Sequence, residues 1–389
     1  MKKEIFENQA IYTQALIYKP VTGAGGGGGD LLPPHLMRKG YRLLETGEVE
    51  LACYAPDAKE VTVIGNEKSI GFLQWKMEKG EDGFFTARIP HIPAGFHYHR
   101  YLVDGVDTIN PLVPIGYGSF TPTNFIETAD DDCAFYMQKR VPHGTVHMEY
   151  FHSEVTGRTR LCHVYTPPGY EIGEKKYPVL YLQHGVGENE TGWVWQGKMH
   201  YILDNLIAAG ECREMIVVAN TGYAFSPRYP SDYLPGNFDA MLVNDCIPFI
   251  EDRYRVLSHR SARAVAGLSM GSVQACRTAL LHPDLFASFG VFSGCLPVVG
   301  YDYDGSRYME DPELWNTDYD LVFIGAGEQE PFWDTTLHLI DRLRGQGARI
   351  TTYSCPGFHE WTVWRRCLRQ MAKVLFRQEQ HAKGGSCDA

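Results

Sequence analysis

Eight residues constrain this chain most: Ala264-Val265-Ala266-Gly267-Leu268-Ser269-Met270-Gly271. A short apolar run, Ala262 to Ala266, reads as a buried strand. The pentapeptide Gly267 to Gly271 follows it directly. Val273, Cys276 and Leu280 then recur at the spacing of one helix face. Strand, Gly-x-Ser-x-Gly and helix in that order describe a turn so tight that side chains beside the serine must be absent. Glycine on both flanks lets the backbone pass, and Ser269 is pushed out above the sheet. The Met270 amide then stands at a helix start, where unpaired N–H groups favour negative charge.

With 389 residues, 44% of them hydrophobic, the chain can bury a substantial core, and its length suggests about two domains. A net charge of -11 without a basic run argues against nucleic acid as a partner. The 13% aromatic content fits sugar or aryl ligands and fits a large core equally well. Met1 to Asn8 lacks the apolar stretch of a signal peptide, and no apolar run reaches the length of a membrane span. The 10 cysteines include no Cys-x-x-Cys pair. Free buried thiols and a cytoplasmic location are therefore expected, with no membrane contact.

Residues 1–40 read as a leader, with a flexible glycine run from Gly23 to Gly29. No Gly-Lys-Ser/Thr follows that run, so it is not a phosphate-binding loop. From residue 41 to about 130 short strands recur: Glu48 to Tyr54, Val61 to Gly65, Phe84 to Ile89 and Phe96 to Val103. Asp104-Gly105 is a strong hairpin signal. Regular short strands without a helical pattern imply a β-sandwich. His97 and His99 share a strand face and are expected to be structural, with satisfied rings. Tyr54-Ala55-Pro56-Asp57-Ala58, Asp82-Gly83-Phe84-Phe85, Pro93-Ala94-Gly95 and Val103-Asp104-Gly105 resemble the immunoglobulin-like module that precedes many glycogen-acting enzymes and some bacterial esterases. The resemblance implies polysaccharide binding, packing or a lid as the role of this part.

The third part spans residues 141–380 and changes rhythm. Thr145 to His152 and Arg160 to Tyr165 are candidate strands joined through Gly157. Tyr177 to Gln183, Met215 to Asn220, Phe289 to Gly294, Asp320 to Gly325 and Ala348 to Ser354 read as further strands. Asn237 is a candidate cap for a helix with Phe238, Met241, Leu242 and Phe249 on one face and a bend at Pro248. Leu337, Ile340 and Leu343 mark a helix that ends near Gly345. Trp361, Trp364, Leu368, Met371 and Leu375 mark the last one. This alternation predicts an α/β fold, a mostly parallel sheet with helices on both faces.

An alcohol at neutral pH is a weak nucleophile and needs a base, which needs an orienting acid. In the strand–turn–helix setting of Ser269 the acid and then the histidine come later in the chain. His359, between the last strand and the last helix, is the expected base; His338 and His282 lie within or behind helical patterns. Glu330 is the preferred acid, with Glu328 and then Asp334 as alternatives. An oxyanion needs two N–H donors. Met270 supplies one, and the loop after Gln183 supplies the other, from Val186 in preference to Gly187. His184 in that loop is expected to bond its ring to backbone. Trp193, Trp195 and Phe332 fall on loops near the site, where they are candidates to stack on an aryl or sugar group; core packing is equally open for each.

Three segments carry a second resemblance: Tyr181-Leu182-Gln183-His184-Gly185-Val186-Gly187, Ala266 to Gly271, and Gly357-Phe358-His359-Glu360-Trp361 with Trp364-Arg365. They are similar to the bacterial feruloyl and acetyl-xylan esterase family, with the esterase D and enterochelin esterase families more distant. The resemblance implies an α/β-hydrolase of roughly 240 residues, with Ser269, His359 and Val186 in the family's nucleophile, base and first oxyanion positions. Ser272 stands where that family has a further glycine, and glutamate where it has aspartate. The activity implied is hydrolysis of feruloyl or acetyl esters on plant-derived xylo-oligosaccharides through an acyl-enzyme. No metal or organic cofactor is implied. A siderophore trilactone esterase and a non-catalytic carbohydrate-binding protein on a hydrolase scaffold are the alternatives. Homo-oligomer formation stays open.

Overall fold

The computed structural model describes residues 38–65, 74–90, 92–128, 132–225, 236–294, 296 and 305–377. The leader's glycine run lies outside the described residues. The chain divides into two compact units, Met1–Gln138 and Lys139–Ala389.

The first unit is built of two antiparallel sheets. One has the order β1 (Tyr41–Leu43), β2 (Val49–Tyr54), β6 (Phe84–Ile89), β5 (Glu78–Lys79). The other runs β4 (Gln74–Lys76), β3 (Val61–Gly65), β7 (Gly95–Val103), β10 (Thr121–Thr128), β9 (Ile115–Gly118), with β8 (Val106–Thr108) paired to β7. Alternate residues of both sheets meet in one apolar cluster: Val49, Leu51 and Phe85 from one, Val61, Val63 and Tyr101 from the other. The hairpin expected at Asp104-Gly105 closes in two residues with φ of 48° and 82°. Such a turn matches the right-handed twist of its strands. The histidine expectation holds for His97, whose Nε2 lies 2.9 Å from the Pro93 carbonyl. His99 is structural as well, but its buried ring nitrogens have no hydrogen-bond partner among the described residues. That ring packs against Tyr101 at 5.3 Å instead, and burial holds its pKa down to about 3.

The second unit is an eight-stranded sheet flanked by helices. Its order is β11 (Thr145–Ser153), β12 (Arg158–Thr166), β14 (Ile216–Asn220), β13 (Val179–Gln183), β15 (Arg263–Leu268), β16 (Ser288–Phe292), β17 (Leu321–Gly327), β18 (Thr351–Cys355). The first two pairings are antiparallel and all the others are parallel. Every residue of β13, β14, β15 and β16 is buried. A parallel sheet covered by helices on both faces demands this, and it is why these strands read as unbroken apolar runs. The helix Trp361–Val374 packs its Trp361, Trp364, Cys367, Leu368 and Met371 inward, at the spacing the sequence displays. Its Arg365 is fully buried and donates from Nε to the Gln196 carbonyl at 2.8 Å.

The segment Phe238–Arg253 departs from expectation. It is not one bent α-helix: a π turn, Leu242–Cys246, sits between Phe238–Met241 and Ile247–Arg253. Pro248 has no N–H to give to the preceding turn, and a wider turn just before it accommodates that loss. The shifted register buries Ile247 and Ile250 and leaves Phe249 only half-buried, on Phe151. Asn237 occupies the position before the helix but makes no side-chain cap.

The turn at Ser269 depends on absent side chains. A Cβ on Gly267 would lie 2.3 Å from the Gly271 carbonyl oxygen, and one on Gly271 would lie 2.5 Å from that of His184. Both obstacles are backbone atoms, which do not swing aside. Gly267→Ala should therefore destabilise the second unit by about 3 kcal/mol, at the upper end of overpacking effects. A chemical denaturation midpoint close to that of the wild-type chain would contradict this account of the turn.

Candidate active site

Parallel strands deliver their following loops to one edge of the sheet, and the expected site residues all follow such strands. Ser269 comes directly after β15, Glu330 three residues after β17, and His359 four residues after β18. Ser269 has φ 51° and ψ −118°, a region non-glycine residues rarely adopt. Such a conformation costs about 1–3 kcal/mol and persists only where neighbours over-determine it. Here they do. The Ser269 N–H donates to the Phe292 carbonyl at 2.9 Å, and the Ser269 carbonyl accepts from the Ser272 N–H at 3.0 Å and the Ser272 hydroxyl at 2.6 Å. Ser272 thus ties the turn through its side chain. Gly294 leaves the room for it, since a Cβ there would lie 1.8 Å from Ser272 Oγ. Met270 is the first residue of the helix Met270–Leu281. Its N–H precedes the first intrahelical bond and is one of the four a helix start leaves over.

The ladder between β17 and β18 continues past the strands. Glu328 N–H donates to the Cys355 carbonyl at 2.9 Å, Gln329 N–H to the Gly357 carbonyl at 3.1 Å, and the Gln329 side chain accepts from the Gly357 N–H. Zipped in this way, the two loops bring Glu330 Oε2 to 2.8 Å from His359 Nδ1. The other carboxylate oxygen, Oε1, accepts from Gly327 N–H at 2.8 Å and from the Ser293 hydroxyl at 2.5 Å. Glu330 is buried, with 4% of its surface exposed, whereas Glu328 and Asp334 are exposed and Glu328 accepts from the Ser354 hydroxyl at 3.3 Å. Of the three carboxylates weighed, Glu330 alone meets the imidazole. No hydrogen bond joins the Ser269 hydroxyl to His359 among the described residues. The His359 side chain keeps 41% of its surface exposed, so the ring faces solvent on its free side.

The loop after β13 behaves as the sequence implies in one respect and adds detail in another. His184 is buried, with Nδ1 2.8 Å from the Gly185 carbonyl and Nε2 accepting from the Gly222 N–H at 2.8 Å. Gly222 N–H can only donate, so the ring proton sits on Nδ1. The Gly187 N–H is taken by the Tyr223 hydroxyl at 2.6 Å. The Val186 N–H has no acceptor among the described residues, and the Val186 side chain is half exposed. Between the two amides weighed, Val186 is therefore the one free to donate.

The three aromatic candidates separate. Phe332 is half-buried with its ring 6.2 Å from that of His359. Trp195 is half-buried. Trp193 is a correction: it is 1% exposed, donates from Nε1 to the Gln183 carbonyl at 2.8 Å and packs edge-on against Trp361 at 5.2 Å. A ring closed in on these sides has no face left for a ligand. Alternation and loop position could not separate an inward from an outward tryptophan. Sequence reading also missed Ser293, Tyr223 and Glu188, which accepts from Trp361 Nε1 at 2.8 Å. The only signal for Ser293 was its place near the end of an expected central strand.

The eight-stranded sheet, the strained serine turn and the histidine held by a carboxylate define an α/β-hydrolase. Residues 153–375 match the model of the Esterase family, described as "Putative esterase". The chain belongs to this family. It is 33% identical over 331 residues to an endo-1,4-beta-xylanase/feruloyl esterase of Xylanibacter ruminicola, covering 83% of this chain and 44% of that protein. The chain thus spans less than half the length of that relative. Among solved structures, a ferulic acid esterase is similar with a TM-score of 0.51 and 25% identity, over 60% of this chain and 98% of that one. The enterochelin esterase of Shigella flexneri is similar in fold, with a TM-score of 0.61 at 15% identity, over 88% of this chain and 96% of that one.

Burial gives the second unit a pH dependence. It pushes the His184 imidazole down to about 4, against the raising effect of the Gly185 carbonyl and together with the nearby Arg160 charge. It pushes His200 down to about 3, helped by Lys198 and His143. Above pH 6.5 both rings are neutral whether the chain is folded or not, and stability is full. Below 6.5 the unfolded chain binds protons that the folded chain refuses, so stability falls toward pH 4 and 3. The loss at pH 5 should be about 2 kcal/mol per histidine. Urea midpoints at pH 7.5 and pH 5 check this: His184→Gln/His200→Gln should lose much of the slope, and an unaltered slope would reject the assignment.

Proposed function

We propose that this chain is a serine carboxylic-ester hydrolase, with Ser269 as nucleophile, His359 as base and Glu330 as the acid that orients it. The Val186 and Met270 amides receive the oxyanion. One observation carries the reading: a buried carboxylate holds Nδ1 of a solvent-facing imidazole on the same sheet edge as a serine in a strained turn. Glu330 on Nδ1 leaves the Nε2 lone pair as the basic position and stabilises the imidazolium once a proton arrives. Ser269 Oγ attacks the ester carbonyl and its proton passes to His359 Nε2. The tetrahedral oxyanion rests on the two N–H groups. The alcohol leaves with the imidazolium proton, and an acyl-enzyme remains. Water, deprotonated by His359, repeats the addition and frees the acid and Ser269. Glutamate performs as aspartate would, because the Ser293 hydroxyl and Gly327 N–H fix its longer side chain.

The substrate class we infer is feruloyl or acetyl esters on plant-derived xylo-oligosaccharides. The 33% identity to a protein named as xylanase/feruloyl esterase supports it, as does the 25% identity to a ferulic acid esterase. The Phe332 ring beside His359 and the half-buried Trp195 suit an aryl or sugar group. A siderophore trilactone reading rests on likeness of fold alone, at 15% identity. For the first unit we infer an immunoglobulin-like module, a reading its two antiparallel sheets around one core support.

Ser269→Ala should cut turnover of a small aryl acetate at least about a thousandfold with the fold intact. Retained turnover would remove Ser269 from the chemistry. Glu330→Gln should cost about a hundredfold or more, while Glu328→Gln should stay within about threefold, its carboxylate being exposed. Methyl ferulate, acetylated xylo-oligosaccharides and enterobactin, assayed side by side, test the substrate class; hydrolysis of enterobactin alone would reverse it.

A further inference from the structure

The loop that carries Val186 is held at both of its flanking peptides by groups outside the proposed triad. The first peptide joins Gly185 to Val186. Its carbonyl oxygen faces the buried His184 ring at 2.8 Å. A trans peptide is planar, with C=O and N–H on opposite sides. Fixing the Gly185 oxygen toward the interior therefore fixes the Val186 N–H in the opposite direction. Donation from His184 Nδ1–H also polarises this peptide, which strengthens its N–H as a donor. The second peptide joins Val186 to Gly187, and its N–H is held by the Tyr223 hydroxyl at 2.6 Å. Val186 thus sits between two immobilised planes. Gly187 has φ 82°, so the chain turns there in a conformation that few residues adopt.

Both holds converge on one short segment after β14. The Gly222 N–H donates to His184 Nε2 at 2.8 Å and so decides which nitrogen of that ring bears the proton. The Gly222 carbonyl accepts from Gln274 Nε2 at 2.8 Å, and Gln274 lies on the helix that begins at Met270. The Tyr223 ring lies 5.6 Å from that of His184. One hydrogen-bonded chain therefore runs from the helix behind Ser269, through Gly222 and His184, to the Gly185–Val186 peptide. It registers the two proposed oxyanion donors, Val186 and Met270, against each other.

We propose that Gly222 and Tyr223 form a two-point clamp on the oxyanion loop, with Tyr223 and His184 as positioning residues for the Val186 N–H. This rests on the reading of Ser269 and Val186 given above. The Tyr223 hydroxyl is the point that can be removed with least disturbance, because phenylalanine keeps the ring and its packing. Without it the Val186–Gly187 peptide loses its own anchor, and the Val186 N–H, still aimed through the Gly185 carbonyl, is held less tightly. Acylation and deacylation both pass through an oxyanion, so both should slow together and their ratio should hold.

The test compares wild type and Tyr223→Phe in the full chain, with p-nitrophenyl acetate as substrate and a fluorophosphonate as active-site label. The label counts competent sites, and mass spectrometry locates it. Expected results are labelling at Ser269 in both proteins and a thermal midpoint shifted by less than about 2 °C. The kcat per labelled site should fall about tenfold in the variant, a loss of about 1.4 kcal/mol in transition-state stabilisation, with KM within about twofold. A kcat per labelled site within twofold of wild type would overturn the clamp, whatever happened to the midpoint. So would a rise in KM at constant kcat, which would make Tyr223 a substrate contact instead. Failure of the wild-type protein to label at Ser269 would overturn the underlying hydrolase reading, which is a different result from either of these.

Discussion

The turn at Ser269 is the constraint around which the second unit is arranged. A serine backbone at φ 51° is unfavourable by itself, and it survives because strands on both sides of it are already fixed. Its N–H is claimed by β16 through Phe292, and its carbonyl by the first turn of the helix that follows. The glycines around it have no slack either, since backbone oxygens occupy the space a Cβ would need. A strained residue held this way cannot relax when a ligand arrives, and that rigidity is what a site requires if its geometry is to suit a transition state.

The same logic extends outward in two directions. Toward β17 and β18, backbone bonds beyond the strands zip two loops together, so that a buried carboxylate and an exposed imidazole share one hydrogen bond. Toward β13 and β14, a buried neutral histidine and a tyrosine hydroxyl fix the loop that carries Val186. In both directions hydrogen bonds from buried groups set the direction of a more exposed one. Burial is the common device. It keeps His184 neutral and gives Glu330 three partners, where solvent would have offered many geometries and fixed none.

Much of this was legible in the residues. The central strands announced themselves because burial on both faces forces unbroken apolar runs, and β13 falls within the run expected from Tyr177 to Gln183. The elbow was legible because Gly-x-Ser-x-Gly between a strand and a helix has few other uses. The position of His359, between the last strand and the last helix, was legible too. The failures have physical reasons too. The helix around Pro248 hid a π turn, because periodicity assumes one rise per residue and cannot see a local change of winding. Trp193 was left open between ligand and core, and fell to the core, because a loop position says nothing about which way a ring points. His99 was expected to find hydrogen-bond partners, and its buried ring packs instead against Tyr101.

Sequence alone determined the order of the elements and the residue types available at each strand end. Local sterics and hydrophobic period act over a few residues, and they leave a readable trace. Only the tertiary structure decided among equals. Glu330, Glu328 and Asp334 are the same chemistry within seven residues, and the bond to His359 goes to the one whose position in the zipped loops turns it inward. Val186 and Gly187 offer identical amides, and the difference between them is a hydroxyl 36 residues further along the chain. Such choices depend on contacts between segments remote in sequence, and only the closing of the sheet brings those segments together.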